Sequence, residues 1–138
     1  MTPGQIALVE ETLAAVDIDE LADDFYRRAF AADPAVSSMF TADPALQRAR
    51  FGAELSEVVR SIRSLEVFDA RVRTLGARHH TYGVRSAHYR LMGEALLAAL
   101  AAALGDRWTG DVAEAWALAY NLTAETMMSG GLEGRRPR

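Results

Sequence analysis

Apolar residues recur every three or four positions along the whole chain, and no segment alternates apolar and polar residues as a half-buried strand does. This periodicity limits the possible folds more than any other feature of the sequence. Thr2-Pro3 and Asp43-Pro44 are typical of helix starts, and Gly83 and Gly105 are typical of helix ends. We therefore predict an all-α fold.

The caps and the periodicity together place the helices. The first opens with a capping box of Thr2 and Gln5, and Thr109 caps the last, which we expect to end at the pair Gly130 and Gly131. In between we predict helices over 19–32, from 44 through 62, over 67–80 and over 86–104, and a short helical turn that reaches Phe40. The length of 138 residues fits one domain, which we predict over 1–131, followed by a disordered basic tail over 132–138.

Composition removes several classes of function. The chain has no cysteine, which excludes disulfides, thiolate metal sites and covalent haem attachment. It also has no lysine, so Schiff-base chemistry and a P-loop are excluded. A net charge of −4 disfavours nucleic acid as a partner. The best candidate for a membrane span, Leu91–Leu104, is too short, and no signal peptide is evident, so we expect a cytoplasmic protein.

One histidine stands out from the pattern alone. Val72, Leu75 and His79 follow steps of three and four, so they share one apolar helix face, while His80 points elsewhere and His88 lies in the next helix. A buried imidazole needs a partner for each nitrogen, and a core histidine bonded to a carbonyl and a side chain would satisfy this need. The other interpretation is an axial ligand to haem iron, because zinc would require three or four ligands and the pattern supplies one.

Several segments resemble one known family in their order and spacing. They are DFYRRAF, DPAVSSMF, QRARF, RHHTYGV, AHYRLMGEALLAAL, LGD and EAWALAY, and they extend from residue 20 or so to residue 125. The chain is similar to bacterial single-domain haemoglobins and to the globin domain of flavohaemoglobins. The resemblance implies a globin fold, with about six to eight helices packed around a haem pocket.

Carried over position by position, the resemblance implies non-covalent haem b with His79 as the proximal iron ligand. Tyr26 and Gln47 match the distal tyrosine and glutamine, whose hydroxyl and amide would donate hydrogen bonds to dioxygen. The other matches line the pocket: Phe40 wedges the haem edge, Phe51 lies over the ligand, Tyr89 neighbours the proximal histidine, and Val84 and Met92 complete the lining.

On the residues alone, these positions have plainer interpretations. Gln47 is an ordinary helix residue, and Tyr26 is favoured as a tyrosine on the surface side of its helix. The following would be core residues in any helical protein: Phe40, Phe51, Val84 and Met92.

One position departs from the family, since Gly131 stands where flavohaemoglobin-like proteins place a glutamate bonded to the proximal histidine and tyrosine.

The resemblance implies a haem-binding globin that reversibly binds O2, with NO and CO as further ligands. It also implies possible nitric oxide dioxygenase activity, for which we expect a separate reductase because the chain shows no flavin or nicotinamide domain. Two alternatives remain open at this point. One is a haem-based gas or redox sensor that acts through a partner protein, and the other is a haem-free globin-fold protein that acts in a stress complex.

Overall fold

A computed structural model describes residues 1–40 and 43–133. These residues form α-helices and two short 3-10 helices, at Pro34–Met39 and Gly105–Arg107, and contain no strand. The prediction of an all-α fold is therefore confirmed. The α-helices are α1 (Pro3–Ala14), α2 (Ile18–Ala32), α3 (Pro44–Ser61), α4 (Leu65–Thr81), α5 (Ser86–Leu104) and α6 (Gly110–Glu133).

The helices start where the capping residues predict. The Thr2 hydroxyl accepts a hydrogen bond from the backbone N–H of Gln5 at 3.1 Å, and the Gln5 side chain accepts from the backbone N–H of Thr2 at 2.9 Å. Asp43 accepts from two backbone N–H groups in the first turn of α3. α4 is longer than predicted, since it covers Leu65–Thr81 rather than 67–80, and α2 begins one residue earlier than predicted, at Ile18.

The helix packing places α3 against both α2 and α4. α4 packs extensively against α6 and α2 against α5, while α1 lies on α6 and α3 contacts both α2 and α4. Trp116 of α6 is buried and donates its Nε1–H to the Thr12 hydroxyl of α1 at 2.8 Å. Its large ring therefore stabilises the core without leaving a polar atom unpaired.

The last helix does not end at its glycine pair, so that prediction was wrong. α6 runs on past both Gly130 and Gly131. A Cβ atom at Gly130 would overlap the backbone carbonyl of Arg73 in α4, and a Cβ atom at Gly131 would lie 3.2 Å from the Cβ of His80. These two glycines let α4 approach the backbone of α6 closely, which a larger residue would prevent.

The predicted domain boundary at residue 131 lies two residues before the end of α6. Of the predicted tail, residues 134–138 lie outside the described residues. Within the described part of the chain, no helix is both long enough and apolar enough to cross a membrane.

Candidate functional site

The motif RHHTYGV forms the end of α4 and the turn that follows it. The N–H of Val84 donates to the carbonyl of His79, and the N–H of Gly83 donates to the carbonyl of His80, both at 3.1 Å. Gly83 has a φ of 90°, which this pair of bonds requires and which a residue with a side chain rarely adopts. The turn carries Val84, which is buried, back toward the last turn of α4.

His79 is oriented by a backbone carbonyl one turn earlier in α4. Its Nδ1–H donates to the carbonyl oxygen of Leu75 at 2.9 Å. A neutral ring protonated at Nδ1 keeps its lone pair on Nε2. Among the described residues, Nε2 has no hydrogen-bond partner. The side chain of His79 is half-buried and presents one fixed nitrogen that is able to bind a metal.

The other two histidines are held by the turn between α4 and α5. The Nδ1 atom of His88 accepts the backbone N–H of Arg85 at 2.9 Å, which caps the start of α5. The guanidinium of Arg85 lies 3.3 Å from Nδ1 of His80 and donates to the His80 carbonyl at 3.2 Å. In both of these rings Nδ1 accepts from a donor, which places the proton of the neutral ring on Nε2. In His79 Nδ1 donates instead, so the lone pair lies on Nε2.

Tyr26 of α2 and Gln47 of α3 meet as a hydroxyl–amide pair. Gln47 is only 7% exposed, and its amide lies close enough to the Tyr26 hydroxyl to favour the charged form of the phenol. The Tyr26 ring lies 5.2 Å from the ring of Phe40 and 5.6 Å from that of Phe51. Burial raises the pKa of Tyr26 well above its usual value, and the charge of Glu54 raises it further, whereas the Gln47 amide lowers it. The phenol therefore stays protonated and available as a donor.

Two further residues of α2, which the sequence did not indicate as site residues, also belong to this aromatic cluster. Phe25 stacks on Phe51 with ring centroids 4.5 Å apart, and Phe30 lies 5.7 Å from Tyr26 and from Phe40. The spacing of Tyr26 and Phe30, four residues apart on one helix, would have indicated that their side chains are neighbours. The cluster thus joins α2, the first 3-10 helix and α3 around the tyrosine hydroxyl.

The remaining predicted pocket residues lie in and around α5. Tyr89 and Val84 are buried, and Met92 is half-buried against the same core. Tyr120 of α6 was not predicted as part of this region. Its hydroxyl donates to the carbonyl of Tyr89, and its ring lies against Gly93, where a Cβ atom would meet the ring. Tyr120 therefore fixes α5 to α6.

The position that departs from the family faces a different histidine. Gly131 lies against the side chain of His80. A Cβ atom added at position 131 would be 3.2 Å from the Cβ atom of His80. The bond that orients His79 comes instead from the Leu75 carbonyl within α4. A neutral carbonyl increases the basicity of the ring less than a carboxylate does.

The donor set fits a haem better than a multidentate metal site. The imidazole of His79 on α4 offers Nε2, and a separate cluster on α2 and α3 sets the Tyr26 hydroxyl and the Gln47 amide among aromatic rings. In the described residues, no group of three or more histidine, cysteine or acidic side chains is placed to hold a metal ion. A zinc site of three or four protein ligands therefore has no candidate in this part of the chain.

The fold is all-α, and His79 offers one nitrogen that can bind the iron of a planar cofactor. The chain belongs to the globin family, whose family model matches residues 23–127. It is 30% identical over 135 residues to a flavohemoprotein of Deinococcus radiodurans, covering 93% of this chain and 33% of that protein. It is also 30% identical over 114 residues to the anaerobic nitrite reductase NSHB5 of Oryza sativa subsp. indica, covering 78% and 79%.

Solved structures share the fold. A bacterial globin from Campylobacter jejuni superimposes with a TM-score of 0.85 at 23% identity, covering 96% of this chain and 97% of that one. A hexacoordinated heme protein from an anhydrobiotic tardigrade also reaches 0.85, at 14% identity and 96% coverage of both chains. The chain spans about a third of the length of the flavohemoproteins it matches, 33% in the Deinococcus case.

Proposed function

We propose that this protein is a globin that holds haem b non-covalently through His79 and binds O2 reversibly, with NO and CO as further ligands. Membership of the globin family supports haem binding. The observation that carries the proposal of O2 binding is the pair of the half-buried Tyr26 and the buried Gln47, set among aromatic rings. A hydroxyl and an amide in one apolar pocket are suited to a small ligand that carries partial negative charge.

Haem iron, when bound, supplies an open coordination position for diatomic gases. The residues of the chain orient the proximal ring and bind the ligand. The Leu75 carbonyl sets the tautomer and the direction of the His79 ring. The Tyr26 hydroxyl and the Gln47 amide donate hydrogen bonds to a ligand oxygen. The rings of Phe40 and Phe51 limit the access of water to these donors, which strengthens the hydrogen bonds.

We further propose nitric oxide dioxygenase activity, in which one NO, one O2 and one electron give nitrate. The similarity to flavohemoproteins and the two distal donors support this proposal. In this proposal a separate reductase acts on the globin in the cytoplasm and supplies the electron. Tyr26 and Gln47 would hold O2 in place for the reaction, and no nucleic acid or membrane partner enters it.

An absorption spectrum of the purified protein tests the proposal. The ferrous protein under air should show a stable oxygenated spectrum that returns to the deoxygenated one when O2 is removed. NO consumption should depend on O2 and on an added reductase. A protein that takes up no haem would overturn the whole proposal, and one that binds CO but oxidises at once in air would overturn O2 binding.

A further inference from the structure

One carboxylate lies on the same face of α3 as the distal residues. Gln47, Phe51 and Glu54 follow steps of four and three along this helix, so their side chains lie one above the other. Glu54 is half-buried, and its negative charge acts on the Tyr26 hydroxyl.

An arginine of the proximal helix pairs with this carboxylate. The Arg78 guanidinium of α4 lies 3.7 Å from the Glu54 carboxylate of α3, and Arg78 directly precedes His79. The ion pair therefore joins the helix of the distal residues to the helix of the proposed iron ligand. Both side chains remain partly exposed, at 59% for Arg78 and 40% for Glu54, so the pair is held loosely.

We propose that Glu54 and Arg78 tune the affinity of the pocket for O2. In this proposal Glu54 weakens the hydrogen bond that Tyr26 donates to the ligand, and Arg78 limits this effect by neutralising Glu54. The inference rests on the proposed function, because it concerns the ligand that Tyr26 would hold. Glu54 and Arg78 would act on the ligand through Tyr26, by means of their charges, and neither of them needs to touch the ligand.

The direction of the effect follows from electrostatics. A negative charge beside a hydroxyl holds its proton more firmly, so the hydroxyl becomes a weaker donor. The same charge repels a ligand oxygen that carries partial negative charge. Removal of the Glu54 charge should therefore strengthen O2 binding, and removal of Arg78 should weaken it. CO carries little charge when bound, so its dissociation should change less.

A second ion pair between the same two helices provides a matched control. Glu57 of α3 and Arg71 of α4 lie 2.7 Å apart, and their side chains are exposed to a similar degree. Glu57 lies three residues further along α3 than Glu54, and so further from Gln47 and Phe51. Loss of this pair would loosen the contact between α3 and α4 without changing the charge next to the tyrosine.

The test compares Glu54→Gln, Arg78→Gln, Glu57→Gln and Arg71→Gln in the haem-loaded full chain. We expect Glu54→Gln to slow O2 dissociation by about two- to fivefold, and Arg78→Gln to speed it by a similar factor, the size usual for one partly exposed charge. Arg78→Gln should have little further effect when Glu54→Gln is already present. The two control variants should behave as the unchanged protein.

The C–O stretching frequency of the ferrous CO complex gives a second readout, because it reports the electric field in the pocket. Glu54→Gln should lower this frequency and Arg78→Gln should raise it. If Glu54→Gln changes neither the frequency nor O2 dissociation, or if Glu57→Gln changes both equally, the inference is wrong. If the unchanged protein forms no O2 complex, O2 binding fails as a function, while the C–O frequencies still decide whether Glu54 sets the field.

Discussion

His79 donates its Nδ1–H to the carbonyl of Leu75 at 2.9 Å, within a single turn of α4. Because the acceptor is a backbone group, a substitution at residue 75 changes packing and leaves the acceptor in place. The tautomer of the ring is therefore determined by the helix itself. Leu75 is buried, which holds this turn against the core.

The first prediction concerns which histidine holds haem. His79→Ala should lose tightly bound haem, or keep it only when imidazole is added to replace the missing ring. His80→Ala and His88→Ala are the controls, since both rings are held at the turn that contains Arg85. Haem content after gel filtration measures the outcome. Haem loss in either control, with retention in His79→Ala, would show that the wrong histidine was chosen.

The helices were predictable because their signals are local. Thr2 with Gln5 and Asp43 before Pro44 are capping patterns that act within one turn, and the structure forms both of them. The glycine pair near the end of the chain was misread because a helix-ending glycine and a glycine at a helix contact look alike in sequence. The carbonyl of Arg73 that lies against Gly130 comes from a distant part of the chain.

The candidate site was predictable only in part, and the reason is again distance along the chain. The face shared by Val72, Leu75 and His79 follows from helical spacing alone. The burial of Gln47 and its proximity to Tyr26 depend on how α3 packs on α2, which no local pattern specifies. Resemblance to a family was needed to select these two residues, and their roles remain proposals.

The second prediction is that the ferrous protein without added ligand is five-coordinate. The described distal cluster of Tyr26, Gln47 and Phe51 contains no histidine, and the chain has no lysine. His80 and His88 are engaged at the turn after α4. Visible absorption and resonance Raman spectra should show a high-spin ferrous haem. A low-spin spectrum with two histidine ligands would mean that this turn rearranges.

The third prediction ranks the effects of substituting three glycines of α6 by how closely other atoms approach each glycine. Gly130→Ala should lower the free energy of unfolding by about 1–3 kcal/mol, as overpacking usually does, because its Cβ would overlap a backbone carbonyl of α4. Gly131→Ala should cost less, since only the His80 side chain must move. Gly110→Ala, which meets nothing nearby, is the control. Chemical denaturation ranks the three, and equal effects would exclude tight packing as the reason for the glycines.

The fourth prediction is a loss of stability at alkaline pH. Burial, and secondarily the charge of Tyr89, raise the pKa of Tyr120 in the folded protein above its usual value. The unfolded chain binds its phenol proton less tightly, so this contribution to stability is full below about pH 10 and is lost as the pH rises above it. Tyr120→Phe should lose about 0.5–1.5 kcal/mol at neutral pH, with its hydrogen bond to the Tyr89 carbonyl.

Tyr120→Phe should also depend less on pH in the alkaline range. Free energies of unfolding measured at about pH 8 and about pH 11 separate the two effects. The difference between the two pH values should be smaller for the variant than for the unchanged protein. A variant with the same difference would show that Tyr120 does not carry this part of the pH dependence.

The last prediction tests the distal donor directly. Tyr26→Phe keeps the aromatic contacts with Phe40 and Phe51 and removes only the hydroxyl that lies near Gln47. A hydrogen bond to a partner with charge contributes about 1.5–3 kcal/mol, so O2 should dissociate roughly ten- to a hundredfold faster. CO dissociation should change less, because bound CO carries little charge.

Gln47→Leu should act in the same direction with a smaller effect, because the Tyr26 hydroxyl remains to donate to the ligand and only the Gln47 amide is lost. Stopped-flow measurement of O2 and CO dissociation in both variants checks the order of the effects. If Tyr26→Phe leaves O2 dissociation unchanged, the hydroxyl does not reach the ligand. The assignment of the distal pair would then fail, while the assignment of His79 could still hold because it depends on a different helix and a different bond.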